Sequence, residues 1–116
     1  MTEKQAESLH LKRDEERLAA RLAMGADIFA QTPRTGASKL PADPEGQNDD
    51  RAEWAEHAVI EFIGQTGVDE VHSAIGDLLA NLMHLCDRLK HIEFDEMLRM
   101  ARCHYEEETY EEANDE

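Results

Sequence analysis

The chain is 116 residues long, enough for one compact domain, with 41 % hydrophobic residues, 5 % aromatic ones and 34 % charged ones. That balance suits a lean helical fold and argues against a sandwich, which needs aromatic and β-branched strands. The formal net charge of −15 at pH 7 disfavours direct contact with DNA, RNA or anionic lipid, and it leaves a basic partner, a metal ion or nothing specific.

Residues 3–30 read as a helix: Ala, Leu, Glu, Lys and Arg dominate, Lys12 and Glu16 sit at pairing distance, and Leu18, Ala19, Leu22, Ala23 and Ala26 form a narrow stripe. Asp14, Glu15 and Glu16 break the stripe and Gly25 weakens the helix. It is therefore expected to be only partly docked, or to find its partner on another subunit, with Ile28 and Phe29 as an anchor. Residues 31–49 hold all three prolines and little to bury, so they read as a polar, flexible linker. A loop of this length makes residues 1–30 an appendage rather than part of the same core.

Residues 50–105 are expected to form a small antiparallel bundle of about three helices, which makes the fold class all-α. Asp49 or Asp50 caps the first helix, whose Trp54, Ala55, Ala58, Val59, Phe62 and Ile63 share a face and which stops at Gly64 and Gly67. The second runs from about Asp69 to Lys90, with Val71, Ile75, Leu78, Leu79, Leu82, Leu85, Cys86 and Leu89 at offsets of three and four. The third is capped by Asp95 and buries Met97, Leu98, Met100, Ala101, His104 and Tyr105. Its end dissolves into an acidic tail, residues 106–116. About sixty residues is near the lower limit for an isolated core, a limit that a homodimer would relieve.

Cys86 and Cys103 are too few and too far apart for a disulfide framework, the first residues lack the apolar core of a signal peptide, and no stretch is apolar enough to span a membrane. A cytoplasmic location follows. The six histidines show no HxH, HExxH or Cys/His spacing, and there is no P-loop, nucleophile elbow or GxGxxG. His57 and His104 read as core-edge residues, and Trp54 with Phe62 as core rather than as a base-stacking platform.

The central helix carries a polar line opposite its apolar stripe: Glu70, Ser73, Asp77, Asn81, His84 and Arg88. This line is either a solvated face or, with Glu53 and Glu56 from the preceding helix, a carboxylate-lined groove for a divalent cation. The run AIGDLLANLMHLCDRLKHIEFDEMLRMA, residues 74–101, together with the ExxE of Glu53 and Glu56, resembles the MazG-type nucleotide pyrophosphohydrolases. That family is all-helical and magnesium-dependent, and the resemblance implies Glu53, Glu56 and Asp77 as metal ligands of a nucleoside triphosphate pyrophosphohydrolase. The chain departs from the family's second carboxylate pair, since Ser73 and Ala74 stand one turn before Asp77. Residues 50–112, through GDLLANLMHLCDR and FDEMLRMARCHYEEET, also resemble small acidic accessory proteins of broad-host-range plasmids and other mobile elements.

Charge segregation is the more informative signal. Residues 1–48 carry eight acidic and seven basic side chains, whereas residues 49–116 carry nineteen and five. If helical, the tail places roughly one charge every 2.4 Å, approaching the one per about 1.7 Å of duplex DNA. Glu106, Glu107, Glu108, Glu111 and Glu112 are the candidate interaction residues. The function expected is a non-enzymatic acidic accessory factor that needs no cofactor and binds a basic protein, as DNA mimics and inhibitors of nucleic-acid-binding proteins do. The alternative is the magnesium-dependent pyrophosphohydrolase.

Overall fold

The computed structural model describes residues 2–34 and 45–114, with the side chains of residues 111–114 outside that description. Among the described residues the chain is all-α, with four helices and no strand: α1 (Glu3–Ala30), α2 (Gln47–Thr66), α3 (Val71–Cys86) and α4 (Phe94–Asn114).

The bounds of α1 agree with those read from the sequence, and a capping box starts the helix. The Thr2 hydroxyl accepts from the Gln5 amide at 3.2 Å, and the Gln5 side chain accepts from the Thr2 amide at 2.9 Å. α1 and α2 run antiparallel, because Gly25 lies against Ile60 while Gly64 lies against Arg21. Both glycines are buried. A Cβ on Gly25 would meet the Ile60 carbonyl oxygen, and one on Gly64 would stand 2.7 Å from the Cβ and the carbonyl oxygen of Arg21. Their missing side chains bring the two backbones together, a role that the reading of Gly25 as a weak point and Gly64 as a stop does not capture. Since α2 ends at Thr66, the first half of α1 runs on past it, and Glu3–Arg17 are exposed throughout.

The core is the meeting of three helices. Val59, Phe62 and Ile63 of α2 and Val71 and Ala74 of α3 are buried, with Ile28, Phe29, Val68 and Leu78 packed against them. Residues 1–30 are thus not a detached appendage: the last turns of α1 belong to the core, as Ile28 and Phe29 suggested, and its N-terminal half projects. Arg34, just beyond α1, pairs with Glu56 of α2 and lies over the Phe29 ring at 5.8 Å.

Several local details differ from expectation. α2 begins before Asp49, with Gly46 at its N-cap in the left-handed region (φ 67°), so Asp49 and Asp50 occupy the first turn. There they favour the helix through its dipole, as a cap would through a hydrogen bond. Gly67 ends α2 in the same left-handed conformation, its amide donating to the Ile63 carbonyl at 2.8 Å. α3 stops at Cys86 rather than Lys90. Beyond it the amides of Arg88 and Leu89 donate to carbonyls three residues back, the Arg88 guanidinium donates to the His84 carbonyl at 2.6 Å, and His91 takes φ 65°. α4 starts at Phe94, so Asp95 lies in its first turn rather than at its cap, and the helix continues through the acidic run instead of dissolving.

Trp54, expected in the core, is 68 % exposed, and Ala55, Ala58, His57 and His104 are exposed with it. Of the long apolar stripe on α3, Val71 is buried and Leu78 and Cys86 are partly buried, while Ile75, Leu79, Leu82 and Leu85 remain exposed. On α4, Met97 is half-buried but Leu98, Met100, Ala101 and Tyr105 are exposed. α3 and α4 barely touch. The radius of gyration is 18.7 Å, and the principal extents are 66 × 37 × 25 Å. A compact chain of this length would have a radius of about 13 Å.

Candidate acidic interaction surface

The far end of α4 returns to the start of α2. The Asn48 amide group donates to the Glu108 carbonyl at 3.4 Å, and Arg51 Nε lies 3.3 Å from Glu108 Oε2. Arg51 also donates to Asn48 Oδ1 at 2.7 Å, so one guanidinium holds both helices. These contacts set the first turn of α2, with Asp49 and Asp50, beside the acidic part of α4.

On α4, Glu106 and Glu107 are exposed, and Glu108 is half-buried against Arg51. The Thr109 hydroxyl donates to the Tyr105 carbonyl at 2.8 Å. Glu111 and Glu112 continue the same helix, and their side chains lie outside the described residues. Residues 49–70 and 103–116 together contain fourteen acidic side chains and a single basic one, Arg51. The two segments that meet at Arg51 and Glu108 are therefore both strongly acidic at neutral pH, although Glu56 pairs with Arg34, and they are suited to holding cations or guanidinium and ammonium groups. Asp49 and Asp50 are the part of this surface that sequence reading missed. The signal that could have found them is their charge, but not their position beside residue 108.

The proposed magnesium ligands are not brought together in the chain. Glu56 faces Arg34, Glu53 Oε1 lies 3.8 Å from His57 Nε2 on its own helix, and Asp77 is exposed on α3. Among the described residues no three His, Cys, Asp or Glu side chains converge to hold an ion. The polar line of α3 is exposed from Ser73 to His84 apart from Ala74 and Leu78 on the opposite side. Cys86 and Cys103 are free thiols.

Among the described residues the chain is all-α, with two acidic segments that meet where the end of α4 reaches the start of α2. No family model matches the chain, and no curated protein or solved structure matches it either. The resemblances read from the sequence therefore bear on function only as proposals. No helix among the described residues is long and apolar enough to cross a membrane.

Proposed function

We propose that the chain is a non-enzymatic, acidic protein-binding accessory factor, cytoplasmic and carried by a mobile element, whose partner is a basic nucleic-acid-binding protein. The observation that supports this reading is the joining of the α2 start and the α4 end: the contacts of Arg51 and Asn48 with Glu108 bring together two segments, residues 49–70 and 103–116, in which Arg51 stands as the single Lys or Arg among fourteen acids. Such a face imitates the charge density of a nucleic acid, so it competes for the groove in which DNA would lie. The antiparallel arrangement expected of residues 50–105 serves this reading as the scaffold that presents the charges. Nothing in the arrangement of Glu53, Glu56 and Asp77 favours the pyrophosphohydrolase alternative.

The test is displacement. Titrated against a panel of basic DNA-binding proteins holding fluorescent duplex DNA, the chain should release DNA from at least one of them. The effect should weaken by about tenfold or more between about 50 and 200 mM salt. Failure to displace DNA from any of them, or displacement indifferent to salt, would remove the reading. Pyrophosphate release from nucleoside triphosphates with magnesium, abolished by Asp77→Asn, would replace it with the enzymatic one.

A further inference from the structure

We infer that the exposed apolar face of α3 and α4 is the seat of a second copy of this chain, forming a two-fold symmetric dimer. The inference goes beyond the acidic-surface reading and stands without it. At 100° per residue, the apolar residues of α3 fall into two adjacent strips. Val71, Ala74 and Leu78, at i, i+3 and i+7, pack on α2. The second strip, Ile75, Leu79, Leu82 and Met83, faces outward, with Leu79 46 % and Met83 49 % exposed. α4 within the chain does not cover it, and its own Leu98 and Met100 are exposed as well.

Charge selects the occupant. Residues 71–102 carry five acidic and four basic side chains, a net of −1 in a chain of −15. A basic partner finds little to attract it there. A second copy meets little repulsion there, whereas pairing through residues 49–70 or 103–116 would press like charges together. Residues 35–44 offer a single large apolar side chain, Leu40, too little to cover two strips. Five half-exposed side chains, the four of α3 with one of Leu98 and Met100, which lie about 200° apart on α4, give at roughly 80 Å² each about half of the ~800 Å² per partner of a standard specific interface, and the polar rim around them adds to it. Among the described residues five apolar side chains are buried, a small core to which pairing adds burial. A two-fold axis along α3 would close the two α3–α4 pairs into a four-helix arrangement.

Light scattering on the full chain after size exclusion tests this. The expected mass is twice 13.2 kDa and persists, or is favoured, in high salt, opposite to the salt response of acidic-face binding. Leu79→Glu should weaken the dimer at least about a hundredfold while far-UV circular dichroism stays helical. If that variant unfolds, Leu79→Ala, which leaves Val71, Ala74 and Leu78 in place, should weaken it about tenfold. A mass of one chain at every concentration up to about 500 µM would overturn the proposal, at a range where standard interfaces are saturated. So would a dimer that either substitution leaves unchanged, or one that dissociates as salt rises.

Discussion

One methyl group separates Gly25 and Gly64 from alanine, and neither position has room for it. In an isolated helix Gly→Ala gains about 1 kcal/mol. Here the added carbon would strike backbone on the facing helix, the Ile60 carbonyl in one case and the Arg21 carbonyl in the other. Gly25→Ala and Gly64→Ala are each expected to destabilise the fold by about 1–3 kcal/mol, read as a lower midpoint in urea unfolding. An increase in stability would show that α1 and α2 do not cross as closely as described. His91 lies at the other extreme: its φ of 65° is a conformation that suits glycine better. His91→Gly is expected to raise stability by about 0.5–1 kcal/mol, the relief of left-handed strain exceeding the added freedom of the unfolded chain. Sequence reading misses both effects for the same reason. A glycine in a helical pattern looks like a flaw until the neighbour that needs the space is known, and nothing in KHIEF marks His91 as the residue that turns.

At the scale of elements, composition defines α1 well, because a long stretch rich in strong helix formers needs no tertiary partner to be recognised. Gly67 likewise marks the end of α2. The end of α3 is harder: Asp87, Arg88, Leu89 and Lys90 all suit a helix, and what stops it is the Arg88 side chain bonded to the His84 carbonyl and the turn that follows. α4 escapes the expected fraying because Glu108 is held by Arg51 and Asn48. Arg51→Ala should cost under about 1 kcal/mol of global stability, since both partners are partly solvated. It should nevertheless speed amide hydrogen exchange in residues 106–114 relative to residues 94–104. Equal protection in both segments after the substitution would mean that the acidic run holds its helix without α2.

Over the whole molecule, helical periodicity reveals which face of an element is apolar but not what covers it. Val59, Phe62, Ile63 and Val71 are buried as the stripes predict and Ala74 is buried outside them, while Trp54, Leu79 and Leu82 belong to equally regular stripes and are exposed. The candidate site follows the same pattern. The charge of Glu106, Glu107 and Glu108 is evident from composition, but their union with Asp49 and Asp50 depends on a contact spanning sixty residues. That contact places a second acidic segment, the start of α2, at the end of α4. The most direct test compares Asp50→Lys on α2 with Glu107→Lys on α4, measuring the affinity of each for a basic protein that the unaltered chain binds. Each substitution is predicted to weaken binding by about tenfold at low salt, since each side faces the same partner. Loss in Glu107→Lys with no change in Asp50→Lys would contradict the shared face and leave the end of α4 acting alone.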